Sequence, residues 1–283
     1  ARAPPRRLTR GGAAPLSLRF TTGAPSGSVD ALSFAPLAAE FSSTADERRI
    51  AGALRGRLTV RPSPASLAFD GLDLNATIEA AGLPAMKVAA QGSAGASAEQ
   101  AEWKLAGRLD DSAFESEGKA RLAVTPMHVR ASARFDALDL NRLLPAGRAA
   151  SAPAGGGTPS PVGDTPVDLS GLRALDGEFA LRAGRFAYRQ YDVNDARLDA
   201  TLDGGMLRIT SLQGAAWGGQ FDARGLADAR ASRVAIDGLA RGVDINALLS
   251  DVTGKDSLEG TGNLTVDLEA AGRSVQEMHS PQA

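Results

Sequence analysis

The sequence predicts an all-β fold, mainly antiparallel strands in an open, curled sheet or groove, with a few short helices. Three observations predict it. Apolar residues recur at every second position in run after run, the period of a half-buried strand. Turn signals separate these runs at intervals of about 8–12 residues, the rhythm of consecutive antiparallel strands. Segments with helical periodicity are scarce.

From the N-terminus, residues 1–15 read as a solvated, disordered tail, because Arg2, Arg6, Arg7 and Arg10 stand among Pro and Gly. Residues 16–144 read as a β-rich repeat region. Trp103, Leu105 and Leu109 fall on one face there, then Leu122 with Val124, then Val129, Ala131, Ala133 and Phe135. Asp110-Asp111 and Thr125-Pro126 supply turns between them. Residues 145–166 are Pro-, Gly- and Ala-rich with no apolar period, a linker or long loop.

Residues 167–279 form a second β region. Phe179, Leu181 and Ala183 alternate, as do Ala196, Leu198, Ala200 and Leu202. The pattern returns in Leu207 with Ile209, Phe221 with Ala223, Val234 with Ile236, and Leu264, Val266 and Leu268. Asp203-Gly204-Gly205 and Gly218-Gly219 mark turns. Strands of this kind set one face in apolar surroundings and the other in water. Residues 280–283 are a short tail.

The best helical segment is Asp244 to Val252, where Asp244 can cap and Ile245, Leu248, Leu249 and Val252 share a face. It belongs to a repeated phrase. Phe135 to Leu144 and Gly242 to Leu249 both read as a strand, then Asp-Leu/Ile-Asn, then an apolar helical turn ending in Leu-Leu. Phe69 to Asn75 is a weaker third echo.

Composition bounds the function. Hydrophobic residues make up 43% of the chain, but much of that is Ala. Leu, Ile, Val and Phe together reach only roughly a fifth, which suits a thin core such as one face of an open sheet. A net charge of -2 with interspersed signs gives no broad attraction for nucleic acid, and no nucleic-acid partner is expected. With no Cys, thiolate zinc sites, disulfides and thiol catalysis are excluded. No run approaches the roughly 18–20 apolar residues of a membrane helix. Both ends read as truncations, so an anchor or targeting element is expected upstream.

No catalytic constellation emerges, and no catalytic, metal or cofactor-binding residue is assigned. His128 and His279 are the only histidines, and His128 reads as an exposed strand residue. Thr253-Gly254-Lys255-Asp256 lacks the spacing of a phosphate loop, and Asp256 opposes a phosphate. Ser116 and Lys119 match Ser-x-x-Lys without the accompanying motifs. Asp110 and Asp111 suit a turn. Asn75-Ala76-Thr77 and Asn263-Leu264-Thr265 read as outward polar positions. Trp103 and Trp217 have no basic cluster beside them, so they read as packing or rim residues.

From Leu175 to Met278 the residue order resembles the C-terminal region of the AsmA family. The elements that carry it are Leu175-Asp176-Gly177, Asp203-Gly204-Gly205-Met206-Leu207, Trp217-Gly218-Gly219 and the stretch Leu248 to Gly262. The resemblance covers roughly residues 167–279. It implies a bacterial envelope protein, inner-membrane anchored by an N-terminal helix and largely periplasmic. It further implies kinship with bridge-like lipid-transfer proteins, whose repeated β-sheets form a groove with an apolar interior, and a part in outer-membrane biogenesis.

The implied partner is a phospholipid or other acyl lipid, with inner-membrane attachment through a missing upstream segment. The expected groove-lining residues are Leu198, Leu202, Leu207, Ile209, Phe221, Val234, Ile236, Leu264, Val266 and Leu268. The same residues could fill the core of an ordinary β-sandwich. The corresponding alternative function is a structural or adhesive β-repeat domain of the bacterial cell surface.

Overall fold

The structure is a computed structural model that describes residues 6–8, 16–45, 48–80, 83–143, 170–173, 175–253 and 259–271. The segment read as a linker, residues 145–166, lies outside them, as do residues 280–283, His279 and most of the phosphate-loop-like run after Thr253. The chain divides into two compact units, one of residues 1–123 with 132–136, the other of residues 124–131 with 137–283.

The first unit contains β1 (Arg6–Leu8), β2 (Leu16–Thr22), β3 (Ser26–Ser28), β4 (Ala31–Ala45), β5 (Arg48–Arg61), β6 (Ser66–Ala80), β7 (Met86–Ser97), β8 (Gln100–Leu109) and β9 (Ser112–Arg121). The middle of β10 (Met127–Asp139) also belongs to it, and Phe135 stacks on Phe114 of β9 with ring centroids 5.8 Å apart. From β4 onward each strand pairs antiparallel with the next in sequence, the arrangement the regular turns anticipate. Within the tail read as disordered, Arg6–Leu8 instead pair with Leu16–Leu18 of β2, which satisfies backbone groups along that edge of β2.

The second unit contains the 3₁₀ turn Ser170–Arg173, β11 (Leu175–Tyr188), β12 (Tyr191–Asp203), β13 (Met206–Ala216), β14 (Gly219–Asp228), β15 (Arg233–Asp244) and β16 (Thr261–Ala271). Two short helices follow strands, α1 (Leu140–Leu143) after β10 and α2 (Ile245–Thr253) after β15. These strands too pair antiparallel in chain order. The fold is mainly strand, in open antiparallel sheet, with helices confined to strand ends.

Both copies of the Asp-Leu/Ile-Asn phrase end a strand and start a helix. Asp139 Oδ1 accepts the Asn141 amide at 2.9 Å, and Asp244 Oδ1 accepts the Ala247 amide at 3.1 Å. Each carboxylate thereby satisfies a donor that a helix start leaves orphaned. The third echo forms no helix. Phe69 to Asn75 stays within β6, where Asp70-Gly71 makes a bulge between the pairs Phe69↔Ala94 and Leu72↔Gly92.

The core is thin. Among the described residues the buried apolar set is largely Ala, with Leu37, Met86, Leu138, Leu202 and Val243 its larger members. Close backbone contact replaces bulk at some positions. Gly92 lies between Leu72 and Leu105 across three strands with φ 150°, and a Cβ there would strike the Lys104 carbonyl oxygen. Gly92→Ala is therefore expected to lower unfolding free energy by about 2–4 kcal/mol, read from the urea midpoint. An unchanged midpoint would show that the strands can shift to admit the methyl.

Candidate functional site

The site begins with register. Residues directly opposed in an antiparallel ladder project to the same face. Leu202 opposes Leu207, which opposes Ala227, then Val234, then Ala270. The next rung runs Ala200, Ile209, Gly225, Ile236 and Leu268. A further one runs Leu198, Leu212, Ala223, Gly238 and Val266, and beyond it Gly214, Phe221, Ala240 and Leu264. All ten residues expected to line a groove thus share one face of the second unit.

The strict alternation breaks in several strands, and the structure shows how the face survives. Register shifts lie between Ile209 and Leu212, between Ala240 and Val243, and between Asn194 and Arg197. Each shift reverses the parity of the strand beyond it. At each, the apolar residues are also spaced by three, as in Ile209 to Leu212 and Ala240 to Val243. Asp195, with φ 50°, makes the irregularity that keeps Val193 beside Gly214 on the apolar side. The first unit uses the same device from Phe34 to Leu37 and from Phe69 to Leu72. Period-2 reading missed Leu212, Val243, Val193 and Phe186. The signal that finds them is the apolar-x-x-apolar step.

Part of this face is open to solvent. Ile236 is 44% exposed, Leu268 46%, and Leu264 and Val266 39% each. Leu202 alone of the ten is buried, and Leu198, Leu207, Ile209, Phe221 and Val234 are half-buried. A filled sandwich core would bury such side chains almost completely.

The opposite face is polar, though Met206, Leu226 and Leu239 interrupt it. Cross-strand ion pairs occupy much of it. Arg182 Nη2 bonds both Asp199 oxygens at 2.9 Å, and Arg233 meets Glu269 at 2.9 Å. Arg130 donates from Nε to Glu178 Oε2 at 3.0 Å and from Nη2 to Oε1 at 2.7 Å. Those hydrogen bonds hold the Glu178 carboxyl below its usual range, with the charges of Arg130 and of nearby His128 adding to the effect. His128 is half-buried here rather than exposed, on the same face as Arg130. Asp192 is lowered in the same way by its hydrogen bonds from Arg185.

A carboxyl lowered by folding stabilises the fold above its ordinary range and loses that effect as pH falls through the lowered value. Stability is accordingly expected to be flat near neutral pH and to fall below about pH 4. Glu178→Gln should be the less stable protein at pH 7 and match the wild type at about pH 2 in urea titrations. A deficit that persists at the acid end would assign the loss to packing instead.

Helices and turns close one end of the second unit. Asn141 of α1 accepts the Arg189 amide at 2.6 Å and donates to its carbonyl at 3.3 Å, clasping the β11–β12 turn. Asp251 of α2 accepts the Trp217 indole proton at 2.7 Å, and its carbonyl accepts from Gln190 at 3.2 Å. Tyr191 meets Trp217 edge to face at 6.3 Å.

The first unit is also one-sided. Phe20, Ala39, Leu54, Leu74, Ala90 and Gly107 follow one another across β2 and β4 to β8. A depression of about 820 Å³ lies on its other side, lined mainly by polar-face residues including Arg19, Glu40, Asn75, Lys87, Arg108 and Asp110. Charged residues of both signs stand there beside Ala51, Ala53, Ala76 and Ala89.

The residues tested for chemistry are structurally occupied. Ser116 accepts the Trp103 indole proton at 3.1 Å, while Lys119 projects to the opposite face and meets Glu102. Asp110 and Asp111 form the β8–β9 turn, and Asn75 donates to Asp73. Among the described residues no three His, Asp or Glu side chains group as a metal site, and no helix is long and apolar enough to cross a membrane.

Repeated antiparallel strands with one apolar, partly exposed face define an open-sheet β-repeat protein. The chain belongs to the AsmA family, whose model matches residues 129–280. That match starts in β10, upstream of the stretch from residue 167 that carried the resemblance, and so includes both strand-to-helix phrases. The chain is 25% identical over 244 residues to Protein AsmA of Escherichia coli (strain K12), covering 80% of this chain and 39% of that protein. It therefore spans about two-fifths of the length of the curated relative it matches. No solved structure matches it.

Proposed function

We propose that this chain is a non-enzymatic part of a cell-envelope protein of outer-membrane biogenesis, carrying phospholipid or another acyl lipid along its apolar β face across the periplasm. The parent protein is held at the inner membrane by a segment other than the described residues. The single observation that carries the reading is the alignment of ten apolar residues, from Leu198 to Leu268, on one face, with Ile236, Leu264, Val266 and Leu268 exposed. Each CH₂ of an acyl chain taken from water gains about 0.8 kcal/mol, so crossing water unaided is prohibitive. A continuous apolar strip removes most of that cost and needs no enclosed pocket.

Extraction of the protein purified from a bacterial envelope, followed by lipid mass spectrometry, tests the reading. Bound phospholipid above the level in a control protein is expected. Lipid-free protein would favour the structural or adhesive β-repeat domain instead.

A further inference from the structure

The turn Asp203–Met206 closes the last apolar rung, Leu202, Leu207, Ala227, Val234 and Ala270. Gly204 and Gly205 have φ of 55° and 86°, values that side chains rarely adopt. Arginines lie over both glycines. A Cβ on Gly204 would stand 2.9 Å from Arg230 Nη2, and one on Gly205 would stand 3.0 Å from Arg173 Cγ. The Gly205 carbonyl accepts the Ala229 amide at 3.0 Å, which continues the parity of Leu207↔Ala227. The Cβ position on Gly205 that meets Arg173 also stands 3.6 Å from the Ala229 Cβ, on the apolar side of the turn. Arg173 Nη2 is steadied on the Ala229 carbonyl at 2.7 Å.

Carboxylates surround the turn but are largely committed. Asp228 Oδ1 accepts the amides of Arg230 at 2.7 Å and Ala231 at 3.2 Å, and these hold its carboxyl below the usual range. Asp176 Oδ1 accepts the Gly204 amide at 2.8 Å. Asp203 and Arg208 sit at polar-face positions, and Arg233 is paired with Glu269. The Arg230 guanidinium has no hydrogen-bond acceptor among the described residues.

We propose that Arg173 and Arg230 form the headgroup end of the apolar strip, binding the phosphodiester of a phospholipid whose acyl chains lie on Leu202, Leu207 and Val234. The inference rests on the lipid-carrying reading above and adds to it a phosphate contact and a polarity of binding. Guanidinium groups suit this task because their planar donors match phosphate oxygens in charge-assisted pairs. The small turn residues let both side chains approach.

The test uses the full chain and calorimetric titration with dihexanoyl phosphatidylglycerol, with dihexanoylglycerol, which has the same acyl chains and no phosphate, and with inorganic phosphate. Arg173→Gln combined with Arg230→Gln is expected to weaken the phospholipid about tenfold and the neutral lipid less than about twofold. Asp228→Asn, which keeps an acceptor for the two amides and removes the charge, should tighten the phospholipid about twofold. A structural role for the arginines alone would not produce that gain. Equal loss for both lipids, or no loss, would overturn the proposal, as would inorganic phosphate binding as tightly as the phospholipid. If the wild type binds neither lipid, the lipid-carrying reading falls and this inference with it.

Discussion

Ile236→Asp combined with Leu268→Asp is expected to lower the lipid retained by the protein about tenfold while lowering its unfolding free energy by only about 1–3 kcal/mol. The two residues are direct partners across β15 and β16 and are 44% and 46% exposed. Each is a little more than half buried, so its loss costs some folding energy but should leave the sheet standing. They would contribute fully to an acyl chain laid across them, since burying a Leu or Ile side chain is worth about 1.5–3 kcal/mol. New carboxylates in the strip would also have to be desolvated by the lipid. Leu202→Asp provides the contrast. Leu202 is 7% exposed, and its replacement should cost stability of several kcal/mol as well as binding. If the Ile236 and Leu268 changes destabilise as severely as that at Leu202, the face is a closed core and the sandwich reading gains.

The second large effect is expected at Trp217. Trp217 and Gly218 have φ of 51° and 74°, both positive, as the tight turn between β13 and β14 requires. A bulky residue in that region costs about 1–2 kcal/mol. The bond from its indole nitrogen to Asp251 and the edge contact with Tyr191 offset the cost by fastening α2 to the ends of two hairpins. Trp217→Ala keeps the strain and loses the fastening, so a loss of about 2–3 kcal/mol is expected in urea unfolding. Trp217→Gly loses the same contacts but relieves the backbone, and should be about 1 kcal/mol more stable than the Ala variant. Hydrogen exchange should show α2 exposed in both. The reverse order, with Ala the more stable, would mean that the turn abandons its left-handed residues once the indole is gone.

Much of this architecture is legible in the sequence, because the information is local. Period 2 in Ala196 to Leu202 or Leu264 to Leu268 reports directly which side chains share a face. Asp244 before Ile245 reports a helix start for the same reason. The ten expected residues fall together because each lies within a single unbroken run, and pairing only had to bring the runs side by side.

What the sequence hid depends on register between strands. A bulge at Asp70-Gly71 turns a phrase that resembles a strand-to-helix junction into the middle of β6. Its pairing with β5 and β7 supplies backbone partners that a helix would forgo. Leu212 and Val243 escaped because a bulge reverses the alternation at the point where the eye expects it to continue. The arginines over Gly204 and Gly205 come from separate elements, and no spacing between Arg173 and Arg230 announces that they meet at one turn.

Site-specific photocrosslinking tests the central claim most directly, because neighbouring positions on one strand face opposite ways. With p-benzoylphenylalanine placed in turn at Leu207, Arg208, Ile209, Phe221 and Asp222, the protein would be irradiated in a bacterial envelope and its adducts identified by mass spectrometry. Phospholipid adducts are expected from positions 207, 209 and 221 and none from 208 and 222. Equal labelling from both sets, or labelling from the polar face alone, would contradict a lipid path along the apolar face.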